Sequence, residues 1–171
     1  MQMTLVPLSV VGGNPGLKLP TQPMSTSAQR ILAIDYGRKR IGLALSDELG
    51  MTAQPLQVLA HKNRREDVRR LREICRAKGV RLIVVGHPVH ITGEAGEMAD
   101  ETARFATRLR KELGIEVELA DERLTSWEAE QTLAEMGGAK RRKDAPLDDV
   151  AAAILLREYL ERRNANREGK E

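Results

Sequence analysis

ILAIDYGRKRIGLALSD, residues Ile31 to Asp47, reads as a buried strand, a tight turn and a second strand. Ile31, Leu32, Ala33 and Ile34 form an apolar run that Asp35 ends. Tyr36-Gly37-Arg38-Lys39 turns the chain, and Ile41, Leu43 and Leu45 then alternate with small residues. A carboxylate at the end of an apolar strand is costly unless something pairs with it. A metal ion is one such partner. A cap, or a salt bridge to Arg38, Lys39 or Arg40, is the other, and this stretch alone leaves both open.

Working outward, the links to the neighbouring strands are short. Strands are expected at about Arg30–Tyr36, Arg40–Asp47 and Met51–Leu59, joined as an antiparallel meander. Asn63 with Glu66 three residues on resembles a capping box. Val68, Leu71, Ile74 and Cys75 repeat at helical spacing, and Gly79 stops that helix. The continuous apolar run Arg81–Gly86 suits a strand buried on both faces in a parallel part of a sheet. A flexible loop is expected over Gly86–Gly96, a helix from Ala99 to Leu113, and a strand with one wet face at Ile115–Leu119, at a sheet edge.

Asp121-Glu122 is expected on the loop after that strand. Thr125 and Glu128 make a second capping box, opening a helix to Met136. Asp148-Asp149 opens a last helix through Leu160, and Arg162–Glu171 reads as a charged tail that frays. The order β-β-β-α-β-α-β-α-α gives the α/β class, with a mixed five-stranded sheet and helices on both faces. Upstream, Met1 to about Gln29 is rich in proline and glycine and reads as a tail. Met24-Ser25-Thr26 would make an ordinary start, so Met1–Pro23 is expected either to be dispensable or to be an artefact of start-codon assignment. The expected organisation is a flexible tail at 1–29, one domain at 30–163 and a charged tail at 164–171.

At 171 residues, 41% hydrophobic and 31% charged, the chain reads as globular. No apolar run approaches the roughly 20 residues of a membrane helix. The single Cys75 excludes an internal disulfide and a cysteine-pair zinc site, and suits a cytoplasmic location. The formal charge is only +3, but basic residues cluster at Lys62–Arg81 and again at Lys140, Arg141, Arg142 and Lys143. Glu66, Asp67 and Glu73 interleave the first cluster, whereas the second has no acidic partner before Asp144. Such runs mark phosphate-binding surfaces or solvated faces. Aromatic residues are few: Tyr36, Phe105, Trp127 and Tyr159. Nucleic acid would therefore be read through backbone and shape rather than by stacking.

Asp35, Glu122 and Asp148 occupy comparable places: late in the first strand, just past the last strand and at the start of the last helix. Each has a simpler reading, Asp148 as an N-cap and Glu122 as a partner of Arg123. Asp121 and Asp149 adjoin two of them, and local pattern leaves open which member of each pair points inward. Taken jointly, oxygen-only ligation suits Mg²⁺ or Mn²⁺. Three converging carboxylates can hold a two-metal site for phosphodiester hydrolysis. Gly37 and Gly42 would give a phosphate room to approach the backbone, or serve turn and strand geometry.

IDYGRKRIGLALSD, IVVGHP with the Gly93–Gly96 loop, ADERLTSWEA and the basic loop leading to LDDVAAAILL together resemble the YqgF family, also called RuvX, of the ribonuclease-H-like superfamily. The resemblance spans about Ile31 to Leu160. It implies a ribonuclease-H-like fold and a metal-dependent nuclease whose acidic triad falls on Asp35, Glu122 and Asp148, in preference to Asp121 and Asp149. Family members usually carry Leu, Asn and Asp where this chain has His87, His90 and Thr92, so substrate contacts from that loop do not carry over. Two substrates are implied: precursor 16S ribosomal RNA, placed first, and the four-way DNA junction, cut by a homodimer. Lys39, Arg40, Arg123 and the Lys140–Lys143 run are expected to hold flanking phosphates. Two other readings compete. The actin-like fold also opens with Asp-x-Gly but needs a second half. A non-catalytic nucleic-acid-binding module would gain nothing from clustered carboxylates.

Overall fold

The computed structural model describes residues 30–88, 94–122 and 148–168. Its elements run β1 (Arg30–Tyr36), β2 (Arg40–Ser46), β3 (Ala53–Ala60), α1 (Arg64–Lys78), β4 (Val80–Pro88), α2 (Glu94–Leu113), β5 (Glu116–Glu122) and α3 (Asp148–Glu168). The expected tail at 1–29, the loop residue His90 and the helix expected from Thr125 to Met136 lie outside the described residues.

The five strands form one mixed sheet in the order β3-β2-β1-β4-β5. β1 and β2 pair antiparallel, as do β2 and β3, while β4 and β5 run parallel to β1. The carboxyl ends of β1, β4 and β5 therefore share one edge of the sheet with the start of β2. Gly37 N–H donates to the Arg40 carbonyl at 2.9 Å, closing the first turn. A Cβ on Gly37 would stand 2.7 Å from that same oxygen, so the glycine serves the turn rather than an approaching phosphate.

The two faces are built differently. Leu32, Ile34, Ile41, Leu43, Leu45, Ile83 and Val85 pack under α1 and α2 with Val68, Leu71, Cys75, Phe105 and Leu109. Each such buried side chain contributes roughly 1.5–3 kcal/mol. Burial pushes the Cys75 thiol up to about 11, which leaves it an inert core residue. The opposite face carries Ile31, Ala33, Ala44, Leu82, Val84 and Ala120 beneath Ala152, Ala153, Leu155, Leu156 and Leu160 of α3. Small residues on both partners let α3 lie close to the sheet. At the outer edge, Pro55 faces Ala44 where the β2–β3 register shifts, an edge position that tolerates the missing N–H.

Local signals explain the helix ends. The Asn63 side chain accepts from Glu66 N–H at 3.0 Å, and Gly79 ends α1 with φ of +67°. The reciprocal half of the capping box does not form, because Glu66 turns to Arg69 at 2.7 Å. Several boundaries differ from expectation, among them the start of α2 at Glu94, five residues before Ala99 and inside the expected Gly86–Gly96 loop. β4 continues past Gly86 through Pro88, so His87 is a half-buried strand residue rather than part of a loop. β5 continues through Glu122, because the parallel ladder pairs His87 with Asp121 and Pro88 with Glu122. α3 runs on to Glu168, so the charged C-terminal stretch expected to fray from Arg162, including most of 164–171, is helical.

Candidate active site

Asp35 and Gly42 are direct cross-strand partners in the antiparallel β1–β2 pair. Facing residues of such a pair present their Cβ positions on the same side of the sheet. Asp35 therefore lies on the α3 side, in alternation with Ile31 and Ala33. A Cβ on Gly42 would stand 1.8 Å from the Asp148 carbonyl oxygen and 2.9 Å from the Asp149 nitrogen. The first turn of α3 thus rests on the backbone directly opposite Asp35. Gly42 makes room for a helix start, not for a phosphate.

Asp148 opens α3, with Asp149 beside it in the first turn, where the helix dipole favours negative charge. Arg40 Nε lies 2.8 Å from Asp148 Oδ2. The pair lacks the alignment of a hydrogen bond, and Oδ2 is buried without a hydrogen-bond partner. Its charge is answered, but its lone pairs are open to a further ligand. Arg40, expected on phosphate, is here the counter-ion of Asp148. Lys39 is exposed in the β1–β2 turn, and its carbonyl accepts from His61 N–H at 2.9 Å.

Glu122 is the last residue of β5, opposite Pro88 in the register, at the same edge of the sheet. Asp121 is half-buried and opposite His87. Arg123, Lys140, Arg141, Arg142 and Lys143 lie outside the described residues. The structure thus brings Asp35 and the start of α3 together and sets the backbone of Glu122 at the same edge. Among the described residues, no three His, Cys, Asp or Glu side chains are grouped closely enough to hold a metal ion. The donor chemistry nevertheless fits a hard divalent cation. Asp35 and Asp148 offer oxygen ligands across Gly42, and Asp148 Oδ2 is already desolvated.

Sequence reasoning missed the role of Gly42. The signal was present, since a glycine interrupts the Ile41/Leu43/Leu45 alternation directly across from Asp35, but only the position of α3 shows what fills the space.

The chain is similar to several known proteins. The family model described as "RuvX: Holliday junction resolvase" matches residues 29–162. A protein of Koribacter versatilis, named "Putative pre-16S rRNA nuclease", is 42% identical over 139 residues, covering 81% of this chain and 91% of its own. One of Syntrophus aciditrophicus with the same name is 43% identical over 132 residues, covering 77% and 88%. Among solved structures, Thermus thermophilus RuvC aligns with a TM-score of 0.54 at 16% identity, over 80% of this chain and 97% of that one. The fowlpox virus resolvase bound to a Holliday junction aligns with a TM-score of 0.51 at 14% identity, over 79% and 99%. At those identities the structures establish the shared ribonuclease-H-like fold. The sequence matches establish the family: this chain belongs to the RuvX family.

Proposed function

We propose that the chain is a divalent-metal-dependent endonuclease that cuts structured RNA, with precursor 16S ribosomal RNA as its substrate. The observation that carries this reading is the seating of the α3 start on Gly42, which holds Asp148 across from Asp35 at the carboxyl ends of three parallel strands. In open α/β sheets that edge is where ligands bind. The names borne by relatives above 40% identity point to the RNA.

Asp35, Asp148 and Glu122 would hold Mg²⁺ or Mn²⁺ as a two-ion site. When bound, the ions supply concentrated positive charge beside the phosphodiester and make water more acidic. The protein's own part is positioning. β1 fixes Asp35 between two paired neighbours, and the first turn of α3 carries Asp148 at the positive end of the helix dipole. Arg40 neutralises Asp148 and is placed to pass to a substrate phosphate once another cation takes its place. Lys39 and Arg123, with Lys140, Arg141, Arg142 and Lys143, supply the sequence-independent grip on flanking phosphates.

The family description and the fold shared with RuvC favour a second reading, a resolvase cutting four-way DNA junctions as a homodimer, one site per strand. No helix among the described residues is long and apolar enough to cross a membrane. A cytoplasmic location accords with the ribosomal substrate and the buried Cys75 thiol. The test is side-by-side cleavage of a precursor 16S RNA fragment and a four-way DNA junction, with Mg²⁺ and with Mn²⁺, by wild type and Asp35→Asn. Metal-dependent cutting of the RNA, abolished in Asp35→Asn with binding retained, is the expected result. Paired symmetric nicks in the junction alone would move the assignment to the resolvase. An Asp35→Asn protein that cuts like wild type would overturn the mechanism.

A further inference from the structure

Tyr36 follows Asp35 on β1, so it lies on the opposite face of the same strand end. There it borders a cavity of about 560 Å³ whose lining includes Arg64, Glu101, Arg104, Phe105 and Lys111. The aromatic floor is firmly supported. Phe105 stacks on Tyr36 with ring centres 4.3 Å apart and planes at 22°. His61 meets the Tyr36 ring edge-on at 6.1 Å. Behind it, His61 Nδ1 lies 2.5 Å from Oδ2 of Asp67, a fully buried carboxylate whose Oδ1 also accepts from Lys62 N–H at 3.3 Å. Burial, then the charge of Glu101, raises the Tyr36 hydroxyl above its ordinary value and keeps it neutral.

The rim is cationic. Glu101 is answered from outside by Arg38 at 3.4 Å, and Arg108 is taken by Glu112 at 3.8 Å. Arg64, Arg104 and Lys111 form no ion pair with any described residue, which leaves three positive charges over an aromatic surface. Cations for phosphate beside a ring for a base are the recognition chemistry of a single-stranded nucleotide. The chain has four aromatic residues, and two of them are stacked here. Their scarcity in the sequence therefore does not exclude a local stacking subsite.

We propose that this cavity is a strand-binding subsite. A single-stranded nucleotide of the substrate enters it, its phosphate held by Arg64, Arg104 and Lys111 and its base resting against Tyr36. The inference rests on the nuclease reading above for the identity of the strand. One strand end of the sheet then serves both functions: Asp35 on one face for cleavage, Tyr36 on the other for holding the strand that leads away from it. A structured RNA with an unpaired extension would be favoured over a fully paired one.

The test measures binding without cleavage, by fluorescence anisotropy in EDTA with full-length protein. The probes are an RNA hairpin with a short single-stranded overhang, the same hairpin blunt-ended, and AMP. Wild type should bind the overhang hairpin more tightly than the blunt one. The double variant Arg104→Glu/Lys111→Glu, at two exposed positions, should lose that preference by about tenfold, and its salt slope on the overhang probe should fall by about 2. Tyr36→Leu should lose the overhang preference with the salt slope unchanged, and Tyr36→Phe should keep it. Equal binding of both hairpins by wild type, or an unchanged preference in the double variant, would overturn the proposal. AMP bound with the same dependence on Arg104 and Lys111, without any overhang preference, would reassign the cavity to a free nucleotide and overturn the strand-binding role. Because no cleavage is read, failure here is separate from failure of the Asp35 mechanism.

Discussion

The two faces of the sheet differ in side-chain size, and the difference divides stability from chemistry. Under α1 and α2 the sheet presents Leu32, Ile34, Ile41, Leu43, Leu45, Ile83 and Val85, and large side chains hold the helices off at ordinary packing distance. Under α3 it presents Ala33, Gly42 and Ala44 among Ile31, Leu82 and Val84, and the helix answers with Ala152 and Ala153 among Leu155, Leu156 and Leu160. Large residues maximise buried area. Small ones give up area and let a helix start approach the backbone closely enough to set Asp148 opposite Asp35. The face that its helix approaches more closely is the one that carries Asp35.

The sharpest way to break this contrast is Gly42→Ala. Its Cβ would meet the Asp148 carbonyl oxygen at 1.8 Å, so backbone must move. The α3 start should be displaced, destabilising the fold by about 3 kcal/mol, the upper part of the overpacking range. Cleavage should fall by about a hundredfold, the cost of a misplaced catalytic group. Thermal unfolding and single-turnover cleavage read the two effects. Full activity in a folded Gly42→Ala protein would show that the close approach is not needed.

Leu71→Ala probes the other face. Leu71 is fully buried on α1, and its truncation should cost about 2–5 kcal/mol in denaturant unfolding. Cleavage per folded molecule should stay at the wild-type rate, because nothing on the α3 side moves. A drop in that rate comparable with the Gly42→Ala effect would erase the division between the faces.

The smallest expected effect sharpens the turn that joins β2 to β3. Asp47 Oδ1 accepts from Met51 N–H at 2.7 Å and Thr52 N–H at 3.0 Å. These bonds, the one from Thr52 first, hold its carboxyl below the ordinary value. A depressed folded-state value means the stabilisation is present above the unfolded carboxyl's titration and is lost as pH falls through the folded one. The stability gap between wild type and Asp47→Ala, measured by urea unfolding, should therefore be greatest near neutral pH and shrink on acidification below about pH 4. A gap independent of pH would assign the turn to geometry alone.

Much of this was legible from local pattern. β1 begins and ends where the Arg30–Tyr36 reading places it, Asn63 caps α1, and Gly79 closes it in the left-handed conformation. Those signals are carried by the residue itself or by its near neighbours. What pattern could not show depended on partners distant in the chain. β4 and β5 run on through His87-Pro88 and Asp121-Glu122 because each extends the other's ladder, although neither tail is apolar. The stacking of Tyr36 on Phe105 joins residues far apart in sequence. Asp35, Glu122 and Asp148 occupy comparable places in the sequence pattern, and only the family resemblance prefers them to Asp121 and Asp149. The physical reason the start of α3 lies opposite Asp35 is a missing Cβ at Gly42, visible only once α3 is in place.

On the proposed mechanism, Asp35 and Asp148 share a divalent cation across Gly42. Calorimetric titration of Mn²⁺ into wild type, Asp35→Asn, Asp148→Asn and Asp149→Asn tests it without substrate. The account predicts that wild type and Asp149→Asn bind alike. Asp35→Asn and Asp148→Asn should each weaken binding by at least the roughly tenfold that loss of an outer-shell partner costs. Wild-type Mn²⁺ affinity in both Asp35→Asn and Asp148→Asn would contradict it.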